Sequence, residues 1–245
     1  MNKTFTRVGW RARIGIIKPA AGYADIAGFH QLAPEGVALT ATVVSNPHTQ
    51  PTPAQLARLG EHVADAAKIL APAKPDVIIF NCTSGSFIKG FGYDQELIKK
   101  IKDATGIPAT TTTTAVMEAF RALGIKKLCM ATPYIDSVNE REKKFLEDNG
   151  FEVLKYKGLQ ILEGNEIANV EPYKMYQLAR QVFQPEADGI FISCTALHVI
   201  DIIEKLEYDL GKPVVTSNQA AFWSTFRMAG VKEPINGYGK LFRDF

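Results

Sequence analysis

Short continuous apolar runs recur along the chain, bounded by Gly, Pro and polar clusters, and between them lie stretches whose apolar residues return every three or four positions. The first pattern predicts strands buried on both faces and the second amphipathic helices, so their alternation predicts parallel sheets covered by helices. The strand candidates are Ile14–Ile17, Leu39–Val44, Val77–Phe80, Ala109–Thr111, Leu128–Ala131, Glu152–Tyr156, Gly189–Ser193 and Val214–Thr216. Leu56, Leu59, Val63, Ala67 and Leu70 form one stripe, so the spacing predicts a single helix over Ala54–Leu70 with Pro53 in its first turn. Ser137 followed by Glu140 has the form of a capping box, with Val138, Phe145 and Leu146 on the buried face and Gly150 as the stop. Further helices are predicted at Gln95–Ala104, Ala115–Leu123, Tyr173–Phe183, Val199–Leu210 and Gln219–Met228.

The pattern repeats itself within the chain. Asp76-Val-Ile-Ile-Phe-Asn-Cys82-Thr83 and Asp188-Gly-Ile-Phe-Ile-Ser-Cys194-Thr195 share an Asp, an apolar strand, a small polar residue and Cys-Thr in one register. Downstream of each, Gly106-Ile-Pro108 leads through a threonine run to Ala115, and Gly211-Lys-Pro213 leads through Thr216-Ser217 to Ala220. A duplicated α/β unit implies two lobes about a pseudo-twofold axis, with residues 1–115 plus 219–245 in the first and 116–218 in the second. Folds of this class place ligands beyond the carboxyl ends of their strands, where Cys82 and Cys194 both stand, so the symmetry would set them face to face across one cleft.

Charge excludes several partners. With 28 Lys+Arg against 26 Asp+Glu the net charge is +2, which recommends neither nucleic acid nor an anionic membrane surface. The basic stretch Arg7 to Arg13 lacks the apolar core of a signal peptide, and no apolar run approaches the roughly 20 residues of a membrane helix. A cytoplasmic protein is expected, acting on a small molecule, and nothing in the pattern fixes whether it forms a homo-oligomer. The three cysteines, Cys82, Cys129 and Cys194, are too few for a disulfide framework and contain no C-x-x-C, so they are expected as reduced thiols. Gly90-Phe-Gly92 lacks both the third glycine and the preceding strand of a dinucleotide site, and no His, Asp or Glu cluster has metal-ligand spacing. No cofactor is expected.

A thiol at the end of a buried strand, followed by Thr83-Ser84-Gly85-Ser86 or by Thr195-Ala196, stands at the start of the next helix or turn. Backbone N–H groups there favour negative charge, and the expectation is a thiol drawn from about 8.5 toward neutrality beside a place for a carboxylate. Two such thiols flanking one carbon can invert a stereocentre; alternatively one adds to an activated double bond and the other helps the rotated adduct collapse. Either route needs donors for the developing carboxylate charge, for which Thr83, Ser84, Tyr134, Thr195 and the turn amides are candidates. Cys129, within Lys127-Leu-Cys-Met-Ala131, has no Thr partner and reads as core. Thr110–Thr114 reads as a strand end plus helix cap; His198 is either a polariser of Cys194 or a surface residue, and Asn165 either a ligand group or a turn residue.

The Cys-Thr corners, Ala131-Thr-Pro-Tyr-Ile-Asp-Ser-Val-Asn-Glu-Arg141, Ala104-Thr-Gly-Ile-Pro108 and the tail Gly237-Tyr-Gly-Lys-Leu-Phe242 resemble the arylmalonate decarboxylase and maleate isomerase branch of the aspartate/glutamate racemase superfamily, from about Ile14 to the C-terminus. The resemblance implies an α/β fold of two Rossmann-like lobes with parallel sheets, no cofactor, and a cleft between Cys82 and Cys194. In the decarboxylases the residues matching Thr83, Ser84 and Tyr134 hold the carboxylate and the cysteine matching Cys194 protonates the enediolate, while a glycine stands where this chain has Cys82. The isomerases and racemases carry both cysteines, and Asn165 matches an asparagine that binds substrate in the isomerases. Their Asn-bearing loop after the first strand is replaced here by the more apolar Pro19-Ala-Ala-Gly22. The resemblance therefore implies an isomerase or racemase of a small carboxylic or dicarboxylic acid, or alternatively a decarboxylase of disubstituted malonates. A carboxylate-binding module without catalysis is the reading from another class. Substrate choice is assigned to Pro19, to Ala196 beside Cys194, and to the loops Asn46–Pro53 and Glu163–Ile167.

Overall fold

The computed structural model describes residues 7–44 and 50–245, which contain two parallel four-stranded sheets. The first holds β1 (Ala12–Lys18), β2 (Val37–Val43), β3 (Val77–Phe80) and β4 (Ala109–Thr111) in the order β2-β1-β3-β4. The second holds β5 (Lys127–Thr132), β6 (Glu152–Gly158), β7 (Gly189–Ile192) and β8 (Val214–Thr216) in the order β6-β5-β7-β8. The two orders are the same permutation, so the repeat in the sequence is a repeat in topology. All eight predicted strands are present; the inner strands β1, β3, β5 and β7 are covered on both faces and read as apolar runs, whereas the edge strands β2 and β6 are partly exposed.

Helices α1 (Ala24–Leu32), α2 (Pro53–Leu59), α3 (Val63–Leu70), α4 (Thr83–Phe87), α5 (Tyr93–Thr105) and α6 (Thr112–Ala122) accompany the first sheet in chain order. Then follow α7 (Asp136–Asp148), α8 (Gly164–Ala168), α9 (Pro172–Val182), α10 (Ile203–Leu210), α11 (Ser217–Met228) and α12 (Lys240–Asp244). α11 packs against α6, α1 and β3, and so returns from the last strand of the second sheet to the elements of the first.

Three helix expectations need correction. The stripe over Ala54–Leu70 is two helices, broken at Gly60-Glu61-His62; a Cβ on Gly60 would lie 2.0 Å from Tyr93 Oη, so the Tyr93 ring occupies the space where the break falls. The capping box at Ser137 is absent, because α7 begins earlier, after Ile135, and the Asp136 amide donates to Gln160 Oε1 instead. The helix expected from Val199 begins at Ile203, behind a 3-10 turn over Ile200–Ile202.

The other repeated residues hold the lobes' frames. Asp76 Oδ2 accepts the Arg13 amide at 2.7 Å, and Asp188 Oδ2 accepts the amides of Lys126 and Lys127, so each tethers the third strand of its sheet to the start of the first. Thr111 and Thr216 are helix N-caps, accepting from the amides of Thr114 and Gln219, and Gln219 returns a bond to complete a capping box.

Candidate active site

Strand β3 ends at Phe80 and β7 at Ile192, so Cys82 and Cys194 each lie two residues past the end of the third strand of their sheet. Cys82 is the N-cap of α4, and its Sγ accepts the Gly85 amide at 3.3 Å, with Ser84 Oγ 4.0 Å away. Cys194 takes a left-handed backbone at φ 108°, rare for a residue with a Cβ and characteristic of functional corners. Its amide donates to Ser217 Oγ at 2.9 Å, and the Tyr134 hydroxyl lies close enough to favour a thiolate at its sulfur.

Residues outside both motifs tie the corners together. Ser217, the first residue of α11, accepts from the Thr83 hydroxyl at 2.9 Å as well as from the Cys194 amide. Asn218 Nδ2 donates to Thr195 O, and the Thr195 hydroxyl crosses to Asn81 O. Thr112 Oγ1 fixes the Asn81 side chain through its Oδ1. In the sequence Ser217 is marked only as part of the repeat, and Asn218 not at all, because both sit in an ordinary helix start. The one available signal was that Thr216-Ser217 stands in the repeat where Thr111-Thr112 stands, opposite the cysteines.

Both thiols open onto a single cavity of about 120 Å³, room for a small organic acid. Of the predicted site residues, Pro19, Cys82, Thr83, Ser84, Tyr134, Cys194, Thr195 and Ala196 line it. Asn165 does not: it is exposed, and its Oδ1 accepts the Glu166 amide, while its neighbours Gly164 and Ile167 reach the wall. Of the loop Asn46–Pro53, Asn46 to Thr49 lie outside the described residues, and Gln50 and Pro51 line the cavity. Leu56, Leu59 and Val44 were not anticipated; they make this side of the cavity apolar. His198 faces Asp201 at 3.5 Å, away from the cavity, and Cys129 is fully buried in β5. Among the described residues no three His, Cys, Asp or Glu side chains gather as a metal site.

The expectation of thiols drawn toward neutrality is overturned. Burial pushes Cys82 up to about 11, against the opposing pull of the Gly85 amide and Ser84. Cys194 is only half-buried at the cavity wall, yet the protein packed around it pushes its thiol up to about 12, against the Tyr134 hydroxyl and the Ala196 amide. The physical reason is desolvation: protein packs around both thiols, and the few donors at the short α4 and at the turn after Cys194 do not offset it. Both thiols are therefore protonated at rest.

Two buried acids stand behind the corners. Asp25 on α1 lies 3.5 Å from Lys18 Nζ at the end of β1, and that ammonium also donates to the carbonyls of Pro19 and Gly22, stapling the loop that walls the cavity. Glu142 on α7 accepts from Ser193 Oγ at 2.6 Å and has no cation beside it among the described residues.

The sequence model of the arylmalonate decarboxylase family matches residues 14–242. An arylmalonate decarboxylase of Bordetella bronchiseptica is 37% identical over 185 residues, spanning 74% of this chain and 77% of that protein. A maleate isomerase of Pseudomonas putida is 24% identical over 193 residues, spanning 76% and 77%. Among solved structures, a liganded mutant of arylmalonate decarboxylase, with one glycine changed to cysteine and one cysteine to serine, superposes with a TM-score of 0.89 at 34% identity, covering 96% of this chain and all of that one. A maleate-bound isomerase from Pseudomonas putida S16 shares the fold with a TM-score of 0.90 at 22% identity, covering 94% and 97%.

Proposed function

The chain belongs to the arylmalonate decarboxylase family, and from that premise we propose that it is a cofactor-independent isomerase or racemase of a small carboxylic acid, working through Cys82 and Cys194. The observation that carries the reading is that both thiols line one cavity from equivalent ends of two duplicated sheets. In a racemisation the reacting thiol first gives up its proton to solvent, and the thiolate so formed takes the α-proton from one face, the C–H electron pair moving into the carboxylate as an enediolate. The opposite thiol then delivers its proton to the other face and is left as the thiolate. In a cis–trans isomerisation the thiolate adds to one alkene carbon, the π pair passes toward the carboxylate, the single bond rotates, and the S–C bond breaks to restore the alkene. Ser84, Thr83, Tyr134 and Thr195 are assigned to the carboxylate and Pro19 and Ala196 to the walls; Ser84 Oγ has no closer partner among the described residues than the Cys82 sulfur. The reading takes 1–115 with 219–245 as one lobe and 116–218 as the other, and the cytoplasm, which keeps thiols reduced, as the compartment. No helix among the described residues is long and apolar enough to cross a membrane.

One observation favours a second reading, decarboxylation of a disubstituted malonate. Protonated thiols are poor bases, and this reaction needs none: CO₂ leaves with the C–C pair passing to the enediolate, and the Cys194 thiol supplies the proton. The apolar wall of Leu56, Leu59 and Ile167 suits an apolar substituent.

Proton NMR in D₂O with maleate, α-substituted acids and arylmalonates separates the two. The leading reading expects α-exchange or maleate turning to fumarate, falling roughly a thousandfold in both Cys82→Ala and Cys194→Ala. The second expects arylmalonate loss that disappears in Cys194→Ala and survives in Cys82→Gly. Full activity in both alanine variants overturns both.

A further inference from the structure

The buried stripe of α7 runs through Val138, Asn139, Glu142, Phe145 and Leu146, which places a carboxyl where packing alone would call for a hydrocarbon. Glu142 is 1% exposed, its Oε1 accepts from Ser193 Oγ, and its Oε2 is buried without a partner among the described residues. A buried polar atom left unpaired costs stability, so its retention points to a role. Ser193 is the residue before Cys194. The corner is pinned on three sides: the Ser193 amide to Ala131 O, the Ser193 hydroxyl to Glu142, and the Cys194 amide to Ser217.

The electrostatic surroundings are sparse. Tyr134, from the turn after β5, and Cys194, after β7, both feel a charge on Glu142, and Cys82, after β3, acts on that same pair. The β6 lysines turn elsewhere, Lys155 to the Gln181 carbonyl and Lys157 to its side chain. α4 carries no charged residue, and on α7 itself Arg141 reaches Ile88 O. Burial therefore acts almost alone and raises the carboxyl to about 8, so that it is mostly protonated below that pH.

We propose that Glu142 is a positioning residue for Cys194, holding the corner through Ser193 and setting, by its state of protonation, the charge behind the thiol. While neutral it anchors the hydroxyl and adds no charge; once ionised it opposes both a thiolate at Cys194 and a carboxylate bound beside Tyr134. The inference rests on the reading of Cys194 as the reacting thiol, so its test does not depend on turnover alone.

E142Q preserves shape and the acceptor for Ser193 but cannot ionise; E142A removes both. Alkylation of the full chain by iodoacetamide, with Cys194 followed by peptide mass mapping, reads the thiol directly. Expected is a Cys194 rate in E142Q that matches wild type at about pH 6.5 and exceeds it several-fold by about pH 9, where the wild-type carboxylate suppresses the thiolate. Turnover at the lower pH should stay within about twofold in E142Q and fall roughly tenfold in E142A. An E142Q profile that superimposes on wild type overturns the charge role, and wild-type turnover in E142A overturns the positioning role. If no acid is turned over by the wild-type chain, the proposed function fails while the E142Q alkylation profile still decides this inference.

Discussion

Pairing of Ile17 with Phe80 and of Ala131 with Ile192 puts Lys18-Pro19-Ala20 and Thr132-Pro133-Tyr134 in equivalent positions beside Cys82 and Cys194. The first corner has a buried ion pair behind it and an alanine where the second has a tyrosine whose hydroxyl reaches the thiol. In the second corner threonine replaces lysine, and the buried acid of α7 answers to a serine hydroxyl in place of a cation. Duplication has kept strand order, capping and thiols while the supporting groups diverged. A twofold pair of cysteines is thus chemically unequal, and the two faces of a substrate held between them meet different partners.

The largest effect that could break this contrast is on the charged side. Lys18→Met leaves Asp25 buried beside no cation and should cost about 3–5 kcal/mol in urea unfolding. A loss below about 1 kcal/mol would mean the pair behaves like a surface one and the corners are not so different.

Next in size is the pH dependence that the uncompensated acid of the second corner should impart, larger than that of Asp25, which burial also raises but Lys18 opposes. Glu142 is raised from an ordinary 4.5 to about 8, so the folded chain keeps a proton that the unfolded chain releases across that window. Stability from this group is therefore lost as pH rises, by at most about 1.4 kcal/mol per unit, and the loss is complete above the folded value. Glu142→Gln should equal wild type near the bottom of the window and be the more stable at its top, measured as urea midpoints against pH. Parallel curves would show that Glu142 is not held neutral.

The smallest effect sharpens the outline of the site. Asn165 lies on the exposed surface, bonded to the next amide, so Asn165→Ala should change stability by less than about 0.5 kcal/mol and leave turnover within about twofold. A large loss of turnover would bring Asn165 to the ligand after all.

The strands and both cysteine corners were legible because burial on two faces writes an unbroken apolar run, and because the repeat marked Cys82 and Cys194 apart from Cys129. Boundaries set by distant side chains were not: Tyr93 breaks a stripe it does not belong to, and Gln160 takes the amide that a capping box at Ser137 would have organised. Short helices such as α4 and α8 carry too few turns for a periodicity to show. The direction of the thiol shifts is not legible in the sequence, because spacing reveals a helix start but not the depth of burial that decides it. Glu142 was visible in principle, as a charge inside the stripe from Val138 to Leu146, and was overlooked beside the exposed Glu140.

Ser217 gives the cavity its measure. One hydroxyl oxygen receives the Thr83 side chain from one wall and the Cys194 amide from the other, so drawing the walls apart must break at least one bond at that single atom. The gap between the thiols is set like the span of a fixed calliper. On the proposed reading that span would select molecules by size, and the residue setting it would be a serine hydrogen-bonded to neither sulfur.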